Sequence, residues 1–432
     1  MTAQSRYDVI VVGAGLAGMF AGALAARRGA RTLVIARGLG GTHLGPGTVD
    51  VRGYDSARRL VNNPEAEINQ KPGQRHPSML AGLPALREAL AEFQKMCAAA
   101  GYPLIGALDE NFFLPTAMGA VRPTCLAPES FAAGEVRQTG ELALARLPGF
   151  RDFFADLVAA NLSAAGYPAR VVSLDLLDAP IRRDSFATDL ARLFDDPGYR
   201  EKVAHHWRAA LKGVTRLGLP AILGLRETDG AWRDLRARLD IELFEIPILP
   251  PSVPGMRLFN ILKKTLEAAG GRVTIGPGIK GWVNADHTSQ SRMQSARTVA
   301  ARTTTARIAA GVIAETAGGP RYYAARHIIL ATGSFRHGGL EAPTKGKIIE
   351  TVFGLPVMTN EEWFAPLYSE AQPYARFGVR VNEKMQPVNE AGEVIYENVF
   401  AVGGLLAGAD RNGEGSREGI DLATAWAAIS NL

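Results

Sequence analysis

The chain has 432 residues, 47% of them hydrophobic and 21% charged, which is typical of a folded globular protein long enough for two domains. Its formal net charge is +5 and its isoelectric point is about 9.2. This mild excess of basic residues is not accompanied by a zinc finger, an aromatic RNA-binding motif or a concentrated basic stripe, so we expect no nucleic-acid partner.

Membrane insertion, secretion and metal binding are not indicated either. No segment approaches the roughly twenty consecutive apolar residues that span a bilayer. The first predicted strand begins at Tyr7, which leaves no room for a cleavable signal peptide, so we expect a cytoplasmic protein. Cys97 and Cys125 are too few for an iron–sulfur cluster or a structural zinc site, and the histidines are scattered. We therefore predict no metal.

The first predicted element is a buried strand, residues 7–12, which runs directly into a GxGxxG motif and an Ala-rich helix. In dinucleotide-binding βαβ units, the first glycine allows a sharp turn, the second admits a phosphate, and the third lets the helix pack on the strand. The helix N-terminus offers N–H groups to that phosphate. The alternative is a tight turn that binds nothing. The predicted cofactor contacts are Gly13, Ala14, Gly15, Leu16, Ala17 and Gly18.

The second predicted strand, residues 31–37, ends differently from most adenosine-binding sites. Such sites place Asp or Glu there to bind the ribose 2′-hydroxyl, whereas this chain has Ala36 and Arg37. A guanidinium suits a phosphate better than a hydroxyl, so we predict Arg37 as a cofactor contact with a weakened grip on adenosine; the alternative is a solvent-facing strand end. The Gly-rich loop that follows, residues 38–48, either wraps the cofactor through Gly41 and Thr42 or faces solvent.

The middle of the chain alternates short strands with helices and has no second glycine fingerprint, so no second nucleotide site is predicted there. The predicted elements are a surface excursion over 56–77, an amphipathic helix over 80–100, strands over 142–147, 170–176 and 241–248, helical regions over 150–165 and 185–217, a Pro-rich turn over 249–255 and a helix from Met256. Residues 284–306, rich in Ser, Thr and Arg, are expected to form a mobile hairpin or a partly disordered insertion.

Strand signals return in the C-terminal third. One predicted strand, residues 326–330, ends in the cofactor candidates Ala331, Thr332 and Gly333; another, residues 398–402, ends in the candidates Gly403 and Gly404. A terminal helix is expected over 419–429. These elements predict an α/β, Rossmann-like FAD/NAD(P)-binding fold in which a discontinuous dinucleotide-binding domain (1–100 and 326–432) encloses an inserted α/β middle domain (101–325) for substrate or partner.

This order of motifs resembles the flavoproteins with two dinucleotide-binding domains, and most closely the family of the B subunit of anaerobic glycerol-3-phosphate dehydrogenase. The matching stretches are residues 7–18, 37–50, 249–262 (LPPSVPGMRLFNIL), 331–339 (ATGSFRHGG), 353–356 (FGLP), 377–381 and 398–408. The resemblance implies a flavin-binding subunit, with FMN as the flavin and FAD as the alternative. It implies a complex that oxidises sn-glycerol 3-phosphate to dihydroxyacetone phosphate. It also implies a catalytic A subunit, and an iron–sulfur C subunit that anchors the complex to the membrane and leads electrons to quinone.

The sequence departs from the flavoprotein pattern after the last predicted strand. The usual flavoprotein third motif places an acid where this chain has Gly404; we predict Asp410 as its replacement, the alternative being a different contact to the ribityl chain. The missing carboxylate at Ala36 agrees with FMN, which has no adenosine ribose.

Three residues are candidates for catalysis, and each has a plain alternative. Arg257 follows the Pro-rich turn and could bind an anion, or be a surface helix-start arginine. His43 and His337 flank Gly-rich loops and could be general bases, or merely hydrogen-bond their loops. Three functions stay open: an electron-relay flavoprotein subunit, a self-sufficient FAD-dependent oxidoreductase, and a non-catalytic scaffold subunit.

Overall fold

The computed structural model describes residues 6–70, 76–177, 186–226, 228–285, 306–344 and 347–432. By their contacts the residues group into two compact units. Unit 1 comprises Met1–Gly41, Ile68–Phe93 and Leu262–Leu432, and unit 2 comprises Thr42–Glu67 and Gln94–Ile261. These limits lie elsewhere on the chain than the predicted domain boundaries near residues 100 and 326. The functional division into a cofactor domain and a middle domain stays a prediction.

The described residues contain helices and strands that are numbered here in chain order. The helices are α1 (Leu16–Arg27), α2 (Pro64–Asn69), α3 (Pro77–Ala81), α4 (Leu83–Ala99), α5 (Ala155–Ala164), α6 (Ala187–Phe194), α7 (Pro197–Trp207), α8 (Thr228–Leu239), α9 (Val253–Ala268) and α10 (Arg417–Ser430). The strands are β1 (Arg6–Val12), β2 (Thr32–Ala36), β3 (Leu104–Ile105), β4 (Phe112–Pro115), β5 (Val121–Thr124), β6 (Ala127–Pro128), β7 (Leu142–Arg146), β8 (Ala169–Ser173), β9 (Arg216–Pro220), β10 (Glu242–Ile246), β11 (Arg272–Ile275), β12 (Gly278–Asn284), β13 (Ala309–Thr316), β14 (Gly319–Leu330), β15 (Leu340–Glu341), β16 (Ile349–Glu350), β17 (Val357–Met358), β18 (Gly378–Val379) and β19 (Val399–Ala401). None of these helices combines the length and apolar character needed to cross a bilayer.

Unit 1 is built on a seven-stranded sheet of order β11-β2-β1-β14-β13-β12, with β19 also paired to β14. Strand β1 runs parallel to both β2 and β14, and β19 runs parallel to β14. Strands β12 and β13 are antiparallel additions beside β14. The carboxyl ends of β2, β1, β14 and β19 therefore lie along one edge, where doubly wound folds bind their ligands. The predicted α/β fold is confirmed.

Helix α1 is buried because it is apolar on every side. All its residues from Leu16 to Ala26 are buried, and Gly22 lets it approach β2: a Cβ built on Gly22 would lie 2.5 Å from a methyl of Val34. Helix α10 packs against α1. Strand β1 adds Ile10 and Val11, both fully buried, one on each face of the sheet. Each such aliphatic side chain contributes roughly 1.5–3 kcal/mol on burial, so this core fixes the position of the α1 N-terminus.

Unit 2 is built on a four-stranded parallel sheet of order β10-β9-β7-β8. Its core includes Phe194, Trp207 and Phe244, all fully buried. Strand β9 begins with a buried arginine, Arg216, whose Nε and Nη2 donate to the Ala133 carbonyl at 3.0 and 2.6 Å. Backbone acceptors thus satisfy a charge that would otherwise oppose burial of the strand.

Several elements differ from the sequence predictions. The helical region predicted over 185–217 contains α6 and α7, but it ends in β9, and α8 follows unpredicted. Strands β12 and β13 were also missed, and β14 begins at Gly319 rather than at residue 326. The Gly-rich loop holds a short 3₁₀ turn, Gly41–Leu44. Of the predicted insertion 284–306, residues 286–305 lie outside the described residues.

Candidate cofactor site

The three motif glycines at the end of β1 have different surroundings. Gly13 has φ +117°, and a Cβ built on it would lie 2.2 Å from the Ala331 carbonyl oxygen; one on Gly18 would lie 2.0 Å from the Gly13 carbonyl oxygen. Both positions therefore require glycine for packing. A Cβ on Gly15, in contrast, would meet nothing within 4 Å. Gly15 is the N-cap of α1, and no side chain caps the helix there. Open space beside uncapped N–H groups fits a phosphate.

The Ala331–Gly333 turn lies against this motif. The Ala331 N–H donates to the Val12 carbonyl at 2.8 Å, and Gly333 adopts φ +75°. The Thr332 hydroxyl oxygen is buried and has no hydrogen-bond partner among the described residues. A buried hydroxyl without a partner is uncommon, and it fits a ligand group at this edge of the sheet.

The Gly-rich loop after β2 reaches the same place. Gly40 has φ +74°, and a Cβ built on it would lie 2.5 Å from the Gly15 nitrogen. A Cβ on Gly41 would lie 2.9 Å from His337 Nε2. Positions 40 and 41 have no room for a side chain, because the Gly40 backbone packs against the N-terminus of α1 and the Gly41 backbone packs against the His337 ring. Arg37, at the end of β2, is exposed, which agrees with a strand-end arginine as well as with a cofactor contact.

The end of β19 completes the edge. Gly403 has φ +67°, and a Cβ on it would lie 2.6 Å from Asp421 Oδ1 and 2.8 Å from the Ala17 Cβ. A Cβ on Gly404 would lie 2.2 Å from Arg411 Nη1. The edge thus brings together the predicted segments 13–18, 331–333 and 403–404, with Gly41. Their roles as cofactor contacts stay predictions.

Asp410, the predicted replacement for the family acid, is buried within its own turn. Its Oδ1 accepts the Gly413 N–H at 3.0 Å, and its N–H donates to Glu414 Oε1 at 3.2 Å. This is the pattern of an aspartate that stabilises a local turn. A contact between Asp410 and a ribityl chain stays a prediction.

A charged cluster that the sequence did not reveal lies beside Gly403 and Gly404. Arg411 pairs with Asp421 of α10, and its Nη2 also donates to the Arg417 carbonyl at 2.8 Å. Burial raises the pKa of Asp421, and the nearby Arg411 opposes that rise.

Partial burial of the His337 ring lowers its pKa, and the charges of Arg417 and Arg411 lower it further. Both effects favour the neutral form of the His337 imidazole.

The other two catalytic candidates lie in unit 2. Arg257 is fully buried in a two-pronged ion pair with Glu245, with Nη1···Oε2 at 2.7 Å and Nη2···Oε1 at 3.0 Å. Its Nε and Nη2 also donate to the Gly224 carbonyl at 2.9 and 2.7 Å. The chain itself therefore engages the guanidinium that was predicted to bind an anion, and the catalytic role of Arg257 stays a prediction.

His43 and Thr42 form the turn against which α9 begins. The His43 carbonyl accepts the Ser252 N–H at 2.9 Å, and its ring lies 4.6 Å from that of Phe259. Burial lowers the pKa of His43. The Thr42 hydroxyl and His43 Nδ1 are buried without a hydrogen-bond partner among the described residues. The predicted roles of both residues stay predictions.

Cysteine and metal chemistry find no support in the described part of the chain. There, no three His, Cys, Asp or Glu side chains come together in a way that would hold a metal ion. Cys97 and Cys125 are both free and buried, and burial raises the pKa of each thiol. Neither is thereby poised as a nucleophile.

Comparison with known proteins identifies the family. The sequence profile described as the FAD binding domain matches residues 8–419. A Halobacterium salinarum protein, named as the probable B subunit of anaerobic glycerol-3-phosphate dehydrogenase, is 30% identical over 98% of this chain and 96% of its own length. The chain belongs to the FAD binding domain family and to the B-subunit family of that relative. The resemblance drawn from the sequence motifs is confirmed.

Other members of the B-subunit family are similarly distant and equally complete in their match. The protein of Pasteurella multocida is 26% identical over 99% of both chains, and that of Pectobacterium atrosepticum is 28% identical over 97% of both. A flavin cofactor agrees with the FAD binding domain family. FMN as the particular flavin is not confirmed, because that family is described by FAD.

Solved structures resemble the chain only loosely. A 3-ketosteroid Δ1-dehydrogenase from Sterolibacterium denitrificans matches with a TM-score of 0.43 and 11% identity, covering 99% of both chains. A flavocytochrome c3 fumarate reductase matches with a TM-score of 0.44 and 10% identity, covering 99% of this chain and 78% of the other.

Proposed function

We propose that this chain is the flavin-binding subunit of an anaerobic glycerol-3-phosphate dehydrogenase and relays electrons from sn-glycerol 3-phosphate oxidation toward iron–sulfur centres and quinone. The observation that carries the proposal is the open space at Gly15, at the uncapped N-terminus of α1, in a chain of the FAD binding domain and B-subunit families. A bound flavin supplies hydride acceptance and one-electron release. The chain's own part is to hold that group and set its surroundings.

The residues proposed to hold the flavin lie on one sheet edge. The α1 N–H groups after Gly15 bind phosphate, Gly40 and Gly41 cover it, and the Thr332 hydroxyl supplies a hydrogen bond. We propose FAD as the flavin, since the matching family is described by FAD. FMN is the second candidate, favoured by the absence of a carboxylate at the end of β2, where Ala36 and Arg37 stand.

The cofactor is tested on the purified, untreated chain by its absorbance spectrum, followed by chromatography of the acid-released flavin. Near-stoichiometric FAD supports the proposal. Near-stoichiometric FMN shows that the second candidate is the cofactor, and it does not contradict the relay function. A colourless chain that also binds no added flavin contradicts flavin binding altogether and leaves the scaffold function.

The proposed partners are a catalytic A subunit, and an iron–sulfur C subunit through which this chain is held at the cytoplasmic face of the membrane. The support is the name of the relatives, which makes each of them one subunit of a larger dehydrogenase. The test is co-expression of the three chains with an affinity tag on this one. Recovery of all three in a fixed ratio from the membrane fraction supports the proposal; recovery of this chain alone contradicts it.

Relay and self-sufficient oxidation are separated by anaerobic reduction of the flavin in stopped flow. As a relay subunit, the flavin-loaded chain is not bleached by sn-glycerol 3-phosphate until the catalytic partner is added. Bleaching of the isolated chain at the rate of the complex would instead show a self-sufficient oxidoreductase with its own substrate base, for which His337 is the neutral candidate at the cofactor edge.

A further inference from the structure

The Arg411 guanidinium fills the space that a side chain at position 404 would need. Gly404 follows β19 at the carboxyl edge of the sheet, and a Cβ built on it would lie 2.2 Å from Arg411 Nη1 and 3.5 Å from the Gly333 Cα. Any residue larger than glycine at position 404 would displace the guanidinium. Arg411 therefore lies at the ends of β14 and β19, on the same sheet edge as the GxGxxG turn (residues 13–18) that follows β1.

Most of the hydrogen-bonding capacity of Arg411 is unused. Its Nη2 is engaged by the Arg417 carbonyl at 2.8 Å and by the Asp421 carboxylate. Its Nε is buried with no partner among the described residues, and Nη1 makes no hydrogen bond there. A guanidinium has five N–H donors, and the two on Nη1, which lies beside Gly404, are available to a ligand.

The guanidinium is held in place by α10. Asp421, the ion-pair partner on that helix, lies against Gly403, and Gly403 in turn lies against Ala17 in the first turn of α1. The arginine and the α1 N-terminus thus converge on one region of the edge. Both are positive, and both donate N–H groups. Their shared preference is for a phosphate oxygen, to which Nη1 can donate a charge-assisted hydrogen bond.

We propose that Arg411 is a phosphate-binding residue of the flavin site, that Asp421 is its positioning residue, and that Gly404 makes room for it. The proposal rests on the flavin-binding function proposed above and adds a residue-level account of selectivity. The site then discriminates phosphorylated flavins, FAD and FMN, from riboflavin, which lacks the phosphate.

The test is titration of the flavin-free full-length chain with riboflavin, FMN and FAD, followed by flavin fluorescence. Arg411→Gln is expected to weaken FAD and FMN binding by about tenfold or more, the usual effect of losing hydrogen bonds to a charged group, with less than about threefold change for riboflavin. Arg411→Lys keeps the charge but loses the planar guanidinium, so its affinities for FAD and FMN should lie between those of the wild type and Arg411→Gln. Arg272→Gln, at an exposed arginine that begins β11 at the opposite edge of the unit 1 sheet, is the charge-matched control and should leave all three affinities unchanged.

Two further measurements keep the proposal falsifiable if Arg411→Gln folds poorly. Gly404→Ala retains the charge and displaces the guanidinium, so it should reproduce the phosphate-specific loss. Asp421→Asn should produce a smaller loss of the same kind. An equal loss for riboflavin and the phosphorylated flavins, or no loss in any variant, overturns the role of Arg411 while flavin binding by the wild-type chain stands. A wild-type chain that binds none of the three flavins overturns the proposed function as well.

Discussion

Gly13 and Gly15 lie two residues apart and have opposite surroundings, which makes them a matched pair for mutation. Gly13→Ala places a Cβ 2.2 Å from a backbone oxygen at φ +117°, and we expect it to lower the free energy of unfolding by at least about 2 kcal/mol. Gly15→Ala meets open space at φ −72°, and should leave the apo-protein's stability nearly unchanged while weakening flavin binding. Urea unfolding and flavin titration measure the two effects. Equal destabilisation by both variants would contradict the assignment of Gly15 to the ligand.

Glu350 should make a pH-dependent contribution to the free energy of unfolding, and a single substitution should remove that contribution. Its carboxylate is fully buried, and its oxygens accept the N–H groups of Val352 at 3.0 Å and Phe353 at 2.7 Å. Burial raises the pKa of Glu350 to about 7, against the opposing effect of those hydrogen bonds. Because the folded state prefers the protonated form, this contribution to stability is complete below about pH 4.5 and is lost as the pH rises through about 7.

We therefore expect the wild-type chain to lose roughly 2 kcal/mol more stability than Glu350→Gln between pH 5 and pH 8. Urea unfolding at the two pH values measures the difference. Glu361→Gln, at an exposed position, serves as the control and should follow the wild type. Parallel behaviour of the wild type and Glu350→Gln would show that the carboxyl is not the group responsible.

At the scale of elements, the Arg257–Glu245 ion pair joins the N-terminal part of α9 to β10. Arg257→Met should cost about 3–5 kcal/mol of stability, since it leaves the fully buried Glu245 carboxylate unpaired. The double variant with Glu245→Gln should cost less than the two single changes together. A double-mutant cycle by denaturant unfolding measures this coupling. Wild-type stability for Arg257→Met, with an effect only on substrate affinity, would point instead to the predicted anion-binding role.

Elements with their own apolar pattern were predictable from the sequence, and elements defined by a partner were not. The end of β1, helix α1 and the end of β14 are continuous apolar stretches that are followed by glycine. Strand β13 is different. Gly311 lies within it because a Cβ there would approach the Tyr323 carbonyl oxygen to 2.2 Å. Only the pairing with β14 explains that glycine. Among the described side chains of helix α8, the buried apolar ones are Ala231, Trp232 and Leu235, too narrow an apolar stripe to stand out among the charged residues.

The candidate site was predictable to the same degree. The glycine motifs indicate the edge of the sheet. Where two backbone segments touch there, only glycine fits, and these glycines occur at a spacing that can be recognised in the sequence. Arg411 and Asp421 were missed, since they lie ten residues apart in a loop and a helix, and no local pattern indicates that Gly404 makes room for a distant guanidinium. Conversely, the sequence suggested that Arg257 could bind an anion near the start of a helix, because its ion-pair partner Glu245 lies on another element and no local pattern indicates the pair.

At the scale of the whole molecule, flavin binding should stabilise the native chain by mass action. Free flavin at a hundred times its dissociation constant adds about 2.7 kcal/mol to the free energy of unfolding, provided that the unfolded chain does not bind it. Hydrogen exchange should locate the protected amides at the α1 N-terminus and in residues 331–333 and 403–404. Protection confined to unit 2 would place the ligand elsewhere and contradict the proposed site.

The sheet of unit 1 joins strands that are far apart in the chain, and this bears on how the protein is made. Val12 of β1 pairs with Leu330 of β14, and β19 and α10 come later still. At about 5–20 residues per second, a ribosome leaves β1 without that neighbour for roughly 15–60 seconds. During that interval the apolar surface of α1 awaits α10, and unit 2 is synthesised. The nascent chain is thus a candidate for chaperone binding, and the edge proposed to receive flavin is assembled only after β19 and α10 have emerged.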